Sequence, residues 1–506
     1  MSLPDVSQRA WAEALPPAAS GTLAAIASAS VPEGTLSGFS LLASGSESLQ
    51  ARLALIERAQ VSLDLQYYQF KGDATGRRLM RALHDAAARG VRVRVLLDDL
   101  YTTGDDALWL GLAAAPHIEV RLFNPFLAGR ESQVGRLAES ALGNERMHRR
   151  MHNKMLIADG VLAIAGGRNI ADAYFLAAAQ GSFVDIDVLA AGALLPSMML
   201  AFDLYWNSDF SHELRTVVEE PLPPVQRQAA LAAALAADGE SPAGAALRLA
   251  ASAASGVMRG FEQGRLTMHT AVATVVYDSP AKVESEPGAV DPASLAITGA
   301  QVPLLVGQAI RQARQEVWIV SPYLIPGNAG LMAIREMRER GVRITLLTNS
   351  LAATDEAMVH LGYRKYRVAL LREGVELYEW SAARGGRVLR EWLAGGPVLR
   401  LHAKAALIDR SLVYLGSMNF DPRSRQLNTE FGLLIRSPAL AEDVHALVEQ
   451  LKRESAFRLR LADDGRTLRW TAGDGDAPAQ DFEPDTDFGS RLLLDLLEPL
   501  VPEELL

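Results

Sequence analysis

The stretch HNKMLIADGVLAIAGGRN spans residues 152–169, and its pattern returns as HAKAALIDRSLVYLGSMN at residues 402–419. Each copy begins with His and carries Lys two positions later, Asp seven later, Gly fourteen later and Asn seventeen later. The remaining positions are mostly apolar, which predicts buried β-strands. Because a strand places residues i and i+2 on the same face, the His and the Lys of each copy point the same way.

Four polar side chains at these positions carry the chemistry. A Lys on a buried strand destabilises the fold unless an anion or a carboxylate meets its charge. Two ammonium groups and two imidazoles that meet at a domain interface would hold one phosphate group between them. The pattern therefore predicts a single composite site, formed by His152, Lys154, His402 and Lys404.

The repeat extends upstream of both motifs. Residues 54–98 and 305–348 each read as an amphipathic helix, an apolar strand, a Tyr-bearing loop, a second helix and another strand. The second helix ends at Gly90 or at Gly341, where a left-handed residue is expected. Alternating helices and strands are typical of layered α/β domains. We therefore expect two similar α/β/α domains, related by a pseudo-twofold axis, with the active site at their interface.

Composition predicts five segments. The region between the two copies is rich in Ala, Pro and Gly, and the apolar positions of residues 228–257 predict packing helices, with a lipid-touching hairpin as the alternative. The expected segments are an N-terminal extension (1–40), a first domain (41–220), a linker with a helical insert (221–295), a second domain (296–455) and a C-terminal tail that packs on the second domain (456–506).

The 506 residues carry a net charge of −10 and no Cys, which excludes disulfides and thiolate metal sites. An acidic chain is a poor match for nucleic acid, or for an anionic bilayer bound by charge alone. The charge-free stretches 14–32, 188–202 and 292–310 lack the run of about 20 apolar residues that a spanning helix needs. No transmembrane helix or signal peptide is therefore expected, although a removed signal or lipid anchor would leave no trace.

The paired pattern His-x-Lys-x4-Asp-x6-Gly-(Gly/Ser)-x-Asn resembles the phospholipase D superfamily. The surrounding sequence is similar to bacterial cardiolipin synthases, most of all those of the C type, over nearly all of residues 40–506. The stretches that carry this similarity are IEVRLFNPF at 118–126, RRMHNK at 149–154, GGRNIADAYF at 166–175, FDLYWNS at 202–208, LLTNSLAATD at 346–355 and GVELYEW at 374–380.

The resemblance implies a covalent mechanism that needs no metal or other cofactor. One His attacks phosphorus to form a phosphohistidine, and the other protonates the departing alkoxide and then activates the incoming alcohol. We assign the nucleophile to His152 and the acid/base to His402, although the sequence shows no asymmetry that decides between them. Hydrogen bonds to the phosphoryl oxygens are expected from Lys154, Lys404, Asn169 and Asn419.

Carboxylates complete the candidate catalytic set. The resemblance places one on the far ring nitrogen of each His, where it would hold the tautomer and stabilise the imidazolium. The implied pairs are crossed, Glu430 with His152 and Asp185 with His402. Asp187 is a competitor for the Asp185 role. The motif carboxylates are Asp159 and Asp409. Each lies an odd number of residues from its His and Lys, so on a strand it would face the other side, which favours an orienting role.

Substrate-binding candidates lie beside the motifs. Gly167 stands where the second copy has Ser417, so one hydroxyl is expected beside the phosphate. Tyr68 and Tyr323 occupy matched positions in the upstream repeat and are expected to line the pocket, with a solvated loop or core position as the alternative. Because strand ends commonly rim an α/β site, the candidates also include Asp98, Asp99, Asn349 and Ser350.

The implied function is phosphatidyl transfer, which forms cardiolipin from phosphatidylglycerol and a second phospholipid, phosphatidylethanolamine being one candidate. The alternatives are a phospholipid hydrolase that uses water, a nucleic-acid phosphodiesterase of the same superfamily, and a non-catalytic membrane scaffold. The complete catalytic set disfavours the scaffold, and the acidic charge with two motifs in one chain disfavours nucleic acid as a partner. The motif alone does not separate transferase from hydrolase.

We expect a bacterial enzyme that binds peripherally to the inner membrane, with the side of the membrane and the oligomeric state left open. Because the net charge is negative, apolar surface near the mouth of the site must supply the membrane contact. The expected apolar segments are 127–143 and 225–275, and the expected local basic residues are Arg146, Arg149 and Arg150.

Overall fold

The computed structural model describes residues 3–32, 34–126, 130, 132, 134–136, 145–175, 181–218, 223–236, 255–284, 301–384, 399–472, 479–487, 489, 491–492 and 496. The strands in these ranges are β1 Ser37–Leu42, β2 Ser62–Tyr67, β3 Arg92–Asp98, β4 Ile118–Phe123, β5 Lys154–Ala158, β6 Leu162–Gly166, β7 Ser182–Val184, β8 Asp187–Gly192, β9 Ser211–Glu213, β10 His269–Tyr277, β11 Glu316–Val320, β12 Arg343–Asn349, β13 Glu376–Trp380, β14 Leu399–Leu401, β15 Ala405–Ile408, β16 Leu412–Gly416, β17 Phe431–Arg436, β18 Ala456–Leu461 and β19 Leu468–Ala472.

The helices in the same ranges begin at local signals that the sequence carries. Ser44 accepts a hydrogen bond from the backbone of Glu47 at 3.1 Å, and Asp73 accepts one from Gly76, so each caps the helix that follows it. The helices are α1 Thr22–Ser30, α2 Gly45–Arg58, α3 Ala74–Ala88, α4 Asp106–Ala113, α5 Leu195–Trp206, α6 Leu214–Val217, α7 Pro224–Ala236, α8 Gly256–Gln263, α9 Val302–Arg311, α10 Gly327–Glu339, α11 Ala357–Arg364, α12 Arg367–Arg372, α13 Pro422–Gln426 and α14 Pro438–Ser455.

The two halves of the chain build sheets with the same strand order. The first runs β1-β8-β6-β5-β2-β3-β4-β9, and the second runs β10-β17-β16-β15-β11-β12-β13-β18 with β19 added at its edge. In each sheet the three strands β2-β3-β4 or β11-β12-β13 are parallel, and the motif strands β5 and β15 lie antiparallel beside them. The expected pair of similar α/β domains is therefore confirmed, and Gly90 and Gly341 adopt the expected left-handed backbone at φ 93° and 83°.

The two sheets are joined into one. Strand β1 pairs with β8 of its own half and also with β10 of the other half, where Ser37 faces Ala271. Helices α5 and α14 pack between the halves, and their buried side chains share one core with strands of both sheets. Two further cores lie within the single halves. The domains are thus packed through a continuous sheet and a common core.

Three sheet strands lie wholly or partly in segments expected to be extension, linker or tail. Strand β1 begins before residue 41, β10 lies inside the expected linker, and β18 lies in the expected tail although it pairs with β13 as the counterpart of β9. In the insert, α7 and α8 bury apolar side chains in the core of the first half, as packing helices do. Residues 237–254 of the insert lie outside the described residues. The buried side chains of α7 and α8 are Leu231, Leu235, Val257 and Phe261.

The motif carboxylates Asp159 and Asp409 hold the fold and do not reach the site. Each follows its motif strand in a left-handed conformation, with φ 52° and 49°. The Asp159 carboxylate accepts backbone hydrogen bonds from residues 60–62, and the Asp409 carboxylate accepts them from residues 314–316. Seven residues of extended chain, about 20 Å, separate each from its motif His. Their inclusion among the candidate catalytic residues is therefore wrong.

Candidate active site

The backbone brings each motif His against the opposite half of the molecule. The His152 amide donates to the carbonyl of Thr429 at 2.9 Å, and the His402 amide donates to the carbonyl of Val184 at 2.8 Å. The residue before each His is also paired across the interface, since Met151 bridges Thr429 and β14 pairs with β7. In both cases the accepting residue immediately precedes a carboxylate.

Those two carboxylates pair with the imidazoles in the crossed arrangement. His152 Nδ1 lies 3.0 Å from Glu430 Oε2, and His402 Nδ1 lies 2.5 Å from Asp185 Oδ2. Both carboxylates are fully buried. Asp187, the competitor for the Asp185 role, accepts hydrogen bonds from Ser48 and Arg52 instead. Each imidazole therefore takes its orientation from a residue of the opposite half.

The two Lys side chains lie beside the imidazoles. Lys154 Nζ donates to the carbonyl of His152 at 2.5 Å, and Lys404 Nζ donates to the carbonyl of His402 at 2.6 Å. Burial and the positive charge of Lys404 lower the pKa of Lys154 well below its usual value, and burial lowers the pKa of Lys404 to about 8. The effect of the Lys404 charge on Lys154 indicates that the two ammonium groups lie near one another, so one bound anion would stabilise the charged form of both.

Burial sets the protonation state of the imidazoles. It lowers the pKa of His152 to about 4, although Glu430 acts in the opposite direction, and it also lowers the pKa of His402. Burial alone would raise the carboxylate pKa values, but the adjacent imidazoles hold those of Glu430 and Asp185 at about 2. Near neutral pH both histidines are therefore neutral and both carboxylates are ionised, so each Nδ1–H donates to its carboxylate and Nε2 is the unprotonated ring nitrogen.

Tyr174 is a site residue that the sequence did not identify. Its hydroxyl lies 3.4 Å from His402 Nε2 and accepts a hydrogen bond from Asn169 Nδ2 at 2.8 Å. The position with the same spacing in the second motif is Ser424, so no repeat pointed to it. Asn419 is buried, and its side-chain oxygen has no hydrogen-bond partner among the described residues. The two motif Asn side chains thus have different surroundings.

The Gly167 and Ser417 pair differs because the two carboxylates differ. Ser417 Oγ donates to Glu430 Oε2 at 2.5 Å, so this hydroxyl orients a carboxylate and is not directed at a phosphate. A Cβ added at Gly167 would lie 2.1 Å from Asp185 Oδ1, which leaves no space for a side chain there. The expectation of a phosphate-binding hydroxyl is corrected accordingly.

Tyr68 and Tyr323 both approach the site, but they are not equivalent positions. The ring of Tyr68 lies 4.9 Å from the His152 ring, and the Tyr323 hydroxyl donates to Asp355 at 2.8 Å. The bridge Phe70–Ile170 of the first half corresponds to Leu324–Phe420 of the second. In this register the residue equivalent to Tyr323 is Gln69, and the residue equivalent to Tyr68 is Pro322. The expected match between the two Tyr residues is therefore wrong by one position.

The residues at the ends of β3 and β12 form hydrogen bonds to the backbone of the residue that precedes each motif His. Asp98 accepts from the Met151 amide and from Arg150 Nε, each at 2.8 Å. Asn349, the equivalent residue of β12, accepts from the Leu401 amide at 3.0 Å and donates to the Leu401 carbonyl at 2.9 Å. These two residues therefore position the histidines. Asp99 pairs with Arg130, and Ser350 is buried behind the strand.

The basic cluster expected to meet lipid is largely internal. Arg150 is fully buried against Asp98, and Arg149 is 5% exposed. Only Arg146 keeps partial exposure. The prediction that these residues form a surface patch is wrong for two of the three. Within the part of the chain that the structure describes, no helix combines the length and the apolar character needed to cross a bilayer.

Comparisons with known proteins agree with this geometry. The family model described as "Cardiolipin synthase, PLD-like domain" matches residues 53–181 and 306–452. Cardiolipin synthase C of Escherichia coli K12 is 37% identical over 465 residues, which cover 91% of this chain and 94% of that protein. Cardiolipin synthase 1 of Staphylococcus aureus COL is 24% identical, over 79% of this chain and 66% of that protein. The crystal structure of phosphatidylserine synthase from Haemophilus influenzae Rd KW20 shares the fold, with a TM-score of 0.57, 13% identity and coverage of 92% and 95%.

Proposed function

This chain belongs to the cardiolipin synthase family of phospholipase D-like phosphatidyltransferases, and from that premise we propose that it joins two phospholipids into cardiolipin through a phosphohistidine. Phosphatidylglycerol is the acceptor, and phosphatidylglycerol or phosphatidylethanolamine is the phosphatidyl donor. The observation that carries the proposal is the pair of crossed imidazole–carboxylate contacts beside two buried Lys side chains. This arrangement supplies a nucleophile, an acid and charge for one phosphate.

In the first step the neutral His152 uses its Nε2 lone pair to attack the donor phosphorus, and the bond from phosphorus to the headgroup oxygen breaks. His402, protonated when the anionic phosphate enters, gives its Nε2 proton to the departing alkoxide. The 2.5 Å contact with Asp185, shorter than the 3.0 Å contact of His152, favours His402 as the imidazolium. Lys154 and Lys404 neutralise the charge that develops on the phosphoryl oxygens.

In the second step a hydroxyl of phosphatidylglycerol replaces the headgroup that has left. His402, now neutral, takes the proton of this hydroxyl, whose oxygen attacks phosphorus as the bond to His152 breaks. The net reaction exchanges one alcohol for another on phosphorus and restores both histidines. Water in place of the lipid hydroxyl would give phosphatidic acid, the product of the hydrolase alternative.

We expect the purified protein to convert phosphatidylglycerol vesicles into cardiolipin and glycerol. Added phosphatidylethanolamine should release ethanolamine if it serves as a donor. Mass spectrometry of lipids and headgroups after timed incubation measures both products. Phosphatidic acid as the main product, with little cardiolipin at any phosphatidylglycerol density, would assign the chain to hydrolysis instead.

Peripheral contact with the bilayer is the remaining part of the proposal. Most of the 127–143 segment lies outside the described residues, but residues 134–136 lie over the loop after β3, because Arg136 donates to the Leu100 carbonyl at 2.8 Å. Val134 in this turn is 78% exposed. Met358, three residues beyond the Asp355 that binds Tyr323, is 43% exposed. We place the apolar rim of the site at these two side chains.

Flotation with phosphatidylglycerol vesicles tests this rim. Because the chain carries a net charge of −10, binding should persist at high salt and should fall several-fold in Val134→Asp and Met358→Asp. Phe482→Asp is a matched control, since Phe482 is also exposed but lies in the tail beside Arg491. Binding that moderate salt abolishes, with both rim variants silent, would place the contact on charged surface.

A further inference from the structure

An apolar cavity of about 270 Å³ lies in the second half, between helices α9 and α10 and the strands β11 and β12. Its walls include Ile310, Ile334 and Leu346, and one end is formed by Met418 and Asn419. Asn419 belongs to the second motif, so the cavity and the motif share this residue. The cavity is partly open to solvent, and leaving its apolar walls unburied is less stable than covering them. The cavity is therefore a feature that needs a reason.

The first half shows how the same fold fills this space. Counting back from the turns held by Asp159 and Asp409, Leu53 of α2 occupies the position of Gly307 in α9. Counting back from Gly90 and Gly341, Leu79 of α3 occupies the position of Gly330 in α10. Both leucines belong to the core of the first half. Two leucines of one half are thus glycines in the other.

Neither glycine is required by its backbone. Both lie within helices without a positive φ, where glycine is less favourable than other residues. A Cβ added at Gly307 would meet no atom within 4 Å, so a side chain has space there. A Cβ added at Gly330 would lie 2.8 Å from Cβ of Pro326, so close packing against that proline accounts for this second glycine. At Gly307 the sequence therefore keeps the cavity open at the expense of helix stability.

We propose that this cavity receives an acyl chain of a phospholipid substrate whose phosphate lies between the two histidines. The lining is mainly aliphatic, as a hydrocarbon chain requires, although it also includes Arg311, Asp421 and Arg425. The volume is close to the lower end of ligand pockets. The headgroup chemistry and the cavity meet at Asn419, and in a phospholipid only a glycerol separates the phosphate from its acyl chains. The proposal rests on the phosphatidyltransferase function proposed above.

The outer surface of the same helix supports this assignment. Met332 of α10 is 62% exposed, and the equivalent position in α3 of the first half is the exposed Arg81. Met332 is thus an exposed apolar side chain on a helix that lines the cavity, although its exposed neighbours on α10 include the charged Arg335 and Glu336. The exposed apolar side chain therefore lies in the same half as the cavity, while α3 has an exposed Arg at the equivalent position.

Filling the cavity tests the proposal. Gly307→Leu introduces the side chain that the first half carries, and it should raise the melting temperature because it removes a helical glycine and covers apolar walls of the cavity. Cardiolipin formation from dioleoyl phosphatidylglycerol should fall by about tenfold or more, while formation from dihexanoyl phosphatidylglycerol should change by less than about twofold. Gln308→Leu is the control. Gln308 follows Gly307 in the sequence and is exposed, so this change should alter neither rate.

Two further measurements keep the result decisive. Ala333→Phe fills the cavity from α10 and should give the same loss of long-chain selectivity if Gly307→Leu does not fold. In the inactive His152→Ala protein, a photoreactive acyl chain on phosphatidylglycerol should label peptides of α9 and α10. A folded Gly307→Leu protein with an unchanged ratio of long-chain to short-chain turnover, or labelling confined to other segments, would overturn the proposal. A wild-type protein that makes cardiolipin from neither lipid would instead refute the proposed function.

Discussion

Replacing either His152 or His402 by Ala is expected to reduce cardiolipin formation by at least about 10⁴-fold, because nucleophile and acid/base act as one unit. For the same reason the double variant should be hardly worse than either single variant. Both side chains are buried in the same site and each is bound to a carboxylate of the opposite half. Initial rates with phosphatidylglycerol vesicles measure the loss, and melting temperatures establish that the variants are folded.

The two variants should differ in what they accumulate. If His152 is the nucleophile, His402→Ala retains the attacking nitrogen and should form a phosphatidyl-enzyme that lacks a base for its breakdown. Radiolabelled phosphatidylglycerol followed by rapid alkaline denaturation would detect the label on the protein. Label in His152→Ala and none in His402→Ala would exchange the two roles. The absence of label in both, at enzyme concentrations near that of the lipid, would contradict a covalent mechanism.

Glu430→Gln is expected to lower kcat by about 10³- to 10⁴-fold, since an amide can hold His152 in the wrong tautomer and no longer stabilises a positive ring. The sign of the pH effect is also defined. Glu430 acts to raise the pKa of His152, which burial has lowered to about 4. Its removal therefore lowers that pKa further, and the acidic limb of the kcat/KM profile should move to lower pH.

Asp187→Asn is the matched control for this experiment. Asp187 is another fully buried carboxylate, but it serves Arg52 and Ser48 and does not touch an imidazole. The change should lower the melting temperature, because it removes a buried ion pair, and should leave the pH profile in place. A Glu430→Gln protein with a normal profile and only a lowered melting temperature would reduce Glu430 to a structural role.

Local patterns in the sequence predicted the layered fold and the convergence of the four motif side chains. His152 and Lys154 point the same way because of the alternation along a few residues of strand. The glycines that follow α3 and α10 are determined by the backbone of a single turn. Such features depend on near neighbours only. A second copy of the same pattern then sufficed to predict a second domain of the same kind.

The predictions that needed distant partners were the ones that the structure corrected. Arg149 and Arg150 read as surface charge until Asp98, about 50 residues earlier, is seen to bind Arg150. Tyr174 contacts a His of the other half, and the equivalent residue of the second motif is Ser424, so the repeat gave no signal for it. The match of Tyr68 with Tyr323 followed residue identity, whereas the bridges at Phe70 and Leu324 define the register. Each depends on tertiary pairing that a single sequence does not display.

The crossed contacts also bear on how such a molecule can diverge. In an assembly of two identical subunits, every substitution would appear on both sides of the twofold axis, so the two imidazoles would stay chemically alike. Here each half supplies the carboxylate of the other within one polypeptide, and substitutions arise on one side only. Gly167 against Ser417, Asp98 against Asn349 and Leu53 against Gly307 are departures of this kind. A single chain can therefore place chemically different residues at equivalent positions of its two halves.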